Sequence, residues 1–290
     1  MRHPDLQSPA VADVEGGSEG AGVVPVERTA GVVADVQRCT SMSVTSVVQR
    51  KCVPASPAAD EVLVFWADLD VGEQAAWRLA DVLDAHERVR AARFHFRRDA
   101  IRFTAARAML RRLLAGAVGA EPGELSFAYG PYGKPELSSP FAASGLQFNV
   151  SHSEGVGVFA LVRGCRVGID VERVRSLADL DAVAERTFSP REWAELRRLP
   201  SMDRELAFFR CWTRKESFIK ALGEGLSHPL DRFSVTVQAE EPARLIETDV
   251  EGEAGRWTLE SLDPPTGFVG ALALEGASLR MVVGRAEAAV

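Results

Sequence analysis

The chain has 290 residues with 46% hydrophobic and 26% charged residues, enough for one large core or two modest ones in an ordinary globular protein. Its formal net charge of −7 at pH 7 argues against bulk nucleic-acid binding, and no apolar run reaches the roughly 18 residues that a membrane-spanning helix requires. Cys39, Cys52, Cys165 and Cys211 are widely spaced and form no Cys-x-x-Cys pair. A disulfide framework or zinc site is therefore not expected, and a reducing cytoplasm is.

Residues 1–60 are rich in Ala, Val, Gly, Ser and Pro without a helical or strand period, and are expected to form a disordered or poorly ordered extension. The opening Met1-Arg2-His3-Pro4-Asp5 leads into acids and glycines and does not read as a secretory signal. The apolar run from Glu61 to Leu69 predicts a strand. Apolar positions Trp77, Leu79, Val82, Leu83 and Val89 predict a helix over Glu73–Arg93, and Ile101, Ala105, Met109, Leu110 and Leu113 predict another over Arg97–Ala117. Residues 128–135 read as a turn-rich loop. Residues 148–153 lead into a strand at 156–162, with a hairpin partner at 167–172. Helices are expected at 177–188, 191–198 and 202–222, and strands near 232–238, 256–262, 267–274 and 279–284. This order predicts an α+β fold of two similar halves, 61–165 and 166–290, each a long helix on a small antiparallel sheet.

Charge is uneven. The segment from Arg88 to Arg112 is dense in arginine and opposed only by Asp99, with Glu87 at its edge. A local basic field in an acidic protein points to an anionic partner such as a phosphate ester; the plain alternative is a solvated helix face. Lysine is confined to Lys51, Lys134, Lys215 and Lys220, so it survives mainly where a compact ammonium suits the position.

Asp170 and Glu172 lie two apart on a predicted strand and share one face, with Ile169 and Val171 on the other. Paired carboxylates repel unless a cation lies between them, and oxygen ligands suit Mg²⁺, although Mn²⁺ accepts the same set. Alone, this pentapeptide is equally the polar face of a half-buried strand. In the helix that follows, Trp212, Glu216 and Lys220 share a face at four-residue steps, a pattern that also occurs as an exposed ion pair. Ser151 and His152 stand at the head of a strand and can donate to a phosphate, the imidazole being tunable near neutral pH.

In series, Tyr132-Gly133-Lys134-Pro135, Phe148-Asn149-Val150-Ser151-His152-Ser153, Gly168-Ile169-Asp170-Val171-Glu172 and Trp212-Thr213-Arg214-Lys215-Glu216-Ser217-Phe218-Ile219-Lys220 closely resemble the surfactin-type (Sfp-like) 4′-phosphopantetheinyl transferases, over about 61–284. The resemblance implies a pseudo-twofold α+β monomer that moves phosphopantetheine from coenzyme A to a serine of an apo acyl or peptidyl carrier protein. By that likeness Asp170, Glu172 and Glu216 hold Mg²⁺, and Lys220 contacts the phosphate under attack, with Lys215 near the phosphates. Ser151, His152 and Lys134 meet the 3′-phosphoadenosine end. Arg90 and Arg102 meet the 3′-phosphate and pyrophosphate, and Arg88 could share the role of Arg90. Glu192 matches an acid proposed as general base, and the choice among Glu192, Glu216 and a metal-bound water stays open. A silent relative that binds coenzyme A or a carrier without transfer would lack a metal carboxylate or the motif lysine; Asp170, Glu172, Glu216 and Lys220 are all present.

Overall fold

A computed structural model describes residues 46–49, 56–249, 252–276 and 279–287. Most of the expected N-terminal extension, with Cys39 and Cys52, lies outside the described residues, but Ser46–Gln49 within it forms a strand, β1. There follow β2 (Glu61–Asp68), α1 (Glu73–Leu79), α2 (Ala85–Ala92), α3 (Arg97–Val118), β3 (Phe127–Tyr129), β4 (Pro135–Leu137), β5 (Leu146–Ser153), β6 (Val156–Arg163) and β7 (Val167–Arg173). The chain continues with α4 (Leu180–Thr187), α5 (Pro190–Arg198), α6 (Ser201–Leu222), β8 (Ser234–Val235), β9 (Leu245–Glu247), β10 (Trp257–Ser261), β11 (Phe268–Glu275) and β12 (Arg280–Arg285). Among the described residues no helix is long and apolar enough to cross a membrane.

The helix expected over Glu73–Arg93 is two helices. Asp84 accepts a hydrogen bond from the Glu87 backbone while the Glu87 carboxylate accepts from the Asp84 backbone. This reciprocal box starts α2 afresh after the extended Leu83. The loop expected at 128–135 is instead the turn of a small hairpin, β3–β4, and Ser46–Gln49 and Leu245–Glu247 are strands that periodicity did not single out.

The architecture is α+β, with one long helix packed on each of two sheets. The first sheet has the order β1-β12-β2-β6-β5 and the second the order β10-β11-β7. In the first, β12 returns from the far end of the chain to lie parallel to both β1 and β2, while β2, β6 and β5 are antiparallel. Strand alternation divides the core into layers. Leu63, Phe65, Phe159 and Leu161 join Met109 and Leu110 of α3 on one side of the first sheet. Val62, Val64, Val158 and Ala160 meet Val167, Ile169 and Val171 of β7 and Leu272 of β11 on the other. Beyond the second sheet, α6 buries Phe208, Phe218 and Ile219 with Leu259 and Ala273. The sequence of layers is thus α3, sheet, sheet, α6, and β2 is apolar on both faces because it is covered on both.

Since Val167, Ile169 and Val171 fill the layer between the sheets, Gly168, Asp170 and Glu172 must face α6. Gly168 sets the approach of that helix: a Cβ there would overlap the Ser217 carbonyl oxygen and the Ala221 amide nitrogen. At the other end, Gly223 takes a left-handed conformation (φ 80°) and closes α6 by donating to the Ile219 carbonyl. Gly168→Ala is expected to destabilise the chain by about 3 kcal/mol through overpacking against backbone that cannot yield. In thermal melts this should appear as a melting temperature lowered by roughly 6–12 °C.

Candidate active site

The site lies where β5 of the first sheet, β7 of the second and α6 meet. Asp170 is 1% exposed and Glu172 9%, and Glu216 and Lys220 look toward them from adjacent turns of α6. The Lys220 ammonium donates to Asp170 Oδ1 at 2.6 Å and to Ser151 Oγ at 3.0 Å. Ser151 Oγ in turn donates to Asp170 Oδ1 at 2.8 Å, and Ser153 Oγ donates to Glu172 Oε2 at 2.8 Å.

Three carboxylates against one ammonium leave an excess of buried negative charge. Burial first, and then the neighbouring Asp170, push Glu172 up to about 8 and Glu216 up to about 7. Burial pushes Lys220 down, but Asp170, Glu216 and Glu172 together outweigh it and hold the ammonium above its usual range. Two buried oxygens here, Asp170 Oδ2 and Glu216 Oε1, have no hydrogen-bond partner. Buried polar atoms are nearly always satisfied, so these two fit a hard divalent cation on donor chemistry. Among the described residues no group of three or more His, Cys, Asp and Glu side chains forms a ready-made cage.

The remaining residues expected at the site divide into those near this cluster and those held elsewhere. His152, next to Ser151 on β5, lies in the field of Lys220, Arg90 and Arg102; burial first and then these cations lower it to about 4. Titration near neutral pH is therefore not its property here, and the ring is a neutral hydrogen-bonding group. Arg102 forms a two-pronged ion pair with Asp70, at 2.6 and 2.9 Å, and Asp70 is a neighbour that motif reading did not single out. Arg90 lies over the Phe103 ring at 5.2 Å. It also lines a cavity of about 150 Å³ with Asp84, His86, Glu87, Arg107, Phe127 and Tyr129. Arg88, by contrast, donates to the Leu83 carbonyl at 2.8 Å. Lys134 donates to the Val167 and Ala221 carbonyls at 3.0 and 3.1 Å, tying the β3–β4 turn to β7 and to the C-terminal end of α6, where a cation suits the helix dipole. Burial lowers this ammonium to about 8.

Glu192 and Lys215 lie apart from the cluster and pair with each other. Each side chain is wholly buried, and the Lys215 ammonium donates to both Glu192 oxygens at 2.7 Å and to the Phe233 carbonyl at 2.6 Å. Glu192 also accepts from the backbone of Ser189 and of Val235, each at 2.7 Å. A carboxylate with both oxygens engaged and no solvent access cannot reach an incoming hydroxyl. The signal was present in the sequence: Ser189-Pro190-Arg191-Glu192 is a helix-starting box, with Ser189 receiving the Glu192 amide and Pro at the first helical position.

A model of the 4′-phosphopantetheinyl transferase superfamily matches residues 166–273, and one of the N-terminal part of 4′-phosphopantetheinyl transferases matches residues 72–162. The chain is 38% identical over 234 residues, 79% of this chain and 96% of the relative, to the 4′-phosphopantetheinyl transferase HetI of Nostoc sp.. It is 35% identical over 170 residues, 59% of this chain and 72% of the relative, to a 4′-phosphopantetheinyl transferase of Bacillus subtilis. A crystal structure of holo-[acyl-carrier-protein] synthase from Neisseria meningitidis aligns with 38% of this chain and 96% of its own, at 20% identity and a TM-score of 0.32.

Two outcomes follow from the two kinds of buried charge. Lys215→Met leaves Glu192 buried without its cation and is expected to cost about 3–5 kcal/mol in urea unfolding. Glu172 and Glu216 have folded pKa values above the usual carboxylate range, so the folded state favours their protonated forms. That contribution is complete at acid pH below the unfolded value and is lost as pH rises toward 7 and 8. With chelator present, Glu172→Gln should melt higher than the parent chain at pH 8.5, by on the order of 4 °C or roughly 1–2 kcal/mol. The difference should shrink toward pH 5; an equal gap at both pH values would show that Glu172 ionisation is not the source.

Proposed function

Because the chain belongs to the 4′-phosphopantetheinyl transferase superfamily, we propose that it uses this cluster to move the phosphopantetheine arm of coenzyme A onto a serine of an apo-carrier protein. The observation that supports this most directly is the pair of orphaned oxygens, Asp170 Oδ2 and Glu216 Oε1, beside a lysine ammonium. In this reading Asp170, Glu172 and Glu216 hold Mg²⁺, which when bound neutralises the coenzyme A pyrophosphate.

The carrier serine oxygen attacks the phosphorus attached to the pantetheine arm. A new bond forms from that oxygen to phosphorus, and the bond from phosphorus to the bridging oxygen breaks. The leaving group, 3′,5′-ADP, departs with the negative charge that develops on that bridging oxygen. Lys220 is the fixed positive charge of the chain at this point, and a preorganised ammonium in a partly dry site stabilises such charge more than water would. The serine proton goes to a carboxylate. Glu192, engaged in the core by Lys215, does not take it. His152, Arg90 and Arg102 line the approach as neutral donor and cations for the phosphoadenosine end.

Both sides of the cluster come from one chain, β5 from the first sheet and β7 with α6 from the second, which supports action as a monomer. The carrier is taken to be an acyl or peptidyl carrier of polyketide or nonribosomal peptide synthesis, approached through the exposed arginines before α3. Incubation with coenzyme A, Mg²⁺ and a panel of apo-carriers, read by intact mass, should show the gain of one phosphopantetheine. Asp170→Asn should lower the rate at least about a hundredfold while the folded spectrum is kept. Transfer at the parental rate by that variant would remove Asp170 from the chemistry.

A further inference from the structure

β5 and β7 are the facing edge strands of the two sheets and are not paired with each other in either one. What crosses between them is a regular set of side-chain hydrogen bonds. Asn149 Oδ1 accepts from the Ile169 amide at 2.9 Å. Ser151 Oγ donates to Asp170 Oδ1 at 2.8 Å, and Ser153 Oγ donates to Glu172 Oε2 at 2.8 Å while accepting from the Arg173 amide at 3.1 Å. Higher numbers on β5 meet higher numbers on β7, so the strands run side by side in the same direction.

Asn149, Ser151 and Ser153 are alternate residues of one strand and so project to one side. All three are buried polar residues. Such groups are costly unless each makes its hydrogen bonds, and here each does so by gripping β7. The two serines reach the two carboxylates, and Asn149 and Ser153 also take amide hydrogens that an edge strand would otherwise leave open. The consequence for Asp170 is specific. Oδ1 is held by Ser151 and Lys220, which fixes the rotation of the carboxylate and leaves Oδ2 without a hydrogen bond.

We infer that Ser153 is a positioning residue for Glu172, one tooth of an Asn149-x-Ser151-x-Ser153 comb on β5 that presets both carboxylates of β7 for a divalent cation. The inference rests on the cation-binding reading of the cluster. Neither Ser153 nor Asn149 need touch the cation, coenzyme A or the carrier. They act by removing rotational freedom from the acids that do, and partners of this kind change metal affinity by roughly 10–100-fold when removed.

The test is Mn²⁺ binding to the full chain with saturating coenzyme A, the free ion being counted by electron paramagnetic resonance. Ser153→Ala should bind roughly 10–100-fold more weakly, and Ser153→Thr, which restores a hydroxyl, should recover most of the loss. Near-UV circular dichroism establishes that each variant is folded. Unchanged affinity in Ser153→Ala beside lost affinity in Asp170→Asn overturns the positioning role and leaves the cation site standing. Equal losses in the Ala and Thr variants also overturn it, since they would mark a packing effect. Absence of Mn²⁺ binding by the parent chain removes the cation reading and this inference together.

Discussion

Three carboxylates gathered in a largely buried place repel one another, and the organisation of this molecule follows from how that repulsion is contained. Lys220 neutralises one charge by its contact with Asp170. The others are kept near neutrality by burial, which raises Glu172 and Glu216 well above ordinary glutamates. This buried excess of negative charge is a source of instability, which the rest of the fold has to offset.

It does so by fixing the two elements that carry the acids. Gly168 lets α6 approach β7 closely enough that side chains one turn apart on the helix meet alternate residues on the strand. Lys215, next to Glu216 in sequence, points the other way and donates to Glu192 at the start of α5 and to the Phe233 carbonyl just before β8, while Glu192 accepts from the Val235 amide of β8. That fully hydrogen-bonded pair fixes the rotation of α6 about its axis, and rotation decides whether Glu216 and Lys220 reach β7. The β5 comb holds the strand from its other side. The acids are therefore clamped from a helix and from a second sheet.

How much of this was readable in the sequence depended on whether the signal was local. The alternation of Gly168 to Glu172 and the four-residue spacing of Glu216 and Lys220 are local, and these side chains meet between β7 and α6, whereas Trp212 packs in the core with Phe208. The long helices at Arg97–Val118 and Ser201–Leu222 were legible for the same reason. The break at Asp84 is also written locally, as Asp84-x-x-Glu87, and so is the packing of Glu192, as Ser189-x-x-Glu192; apolar periodicity runs across the first and hides it. By contrast, the parallel insertion of β12 between β1 and β2 leaves no nearby trace. Nor does the reach of Ser153 to Glu172 or of Lys134 to the end of α6, since each joins residues far apart in the chain.

The dense arginine segment illustrates why charge counting alone misleads. Arg111 is fully buried, bound to Asp84, Glu87 and the Pro122 and Leu125 carbonyls. It pins α2 to α3 and adds nothing to the outer field. Arg107 also pairs with Glu87, whereas Arg97 and Arg98 remain mostly exposed. The protein thus holds two electrostatic regimes. Exposed arginines act over about one Debye length and are screened by salt. The carboxylates and Lys220 lie in a buried setting where salt has little access and where small displacements change the interaction strongly.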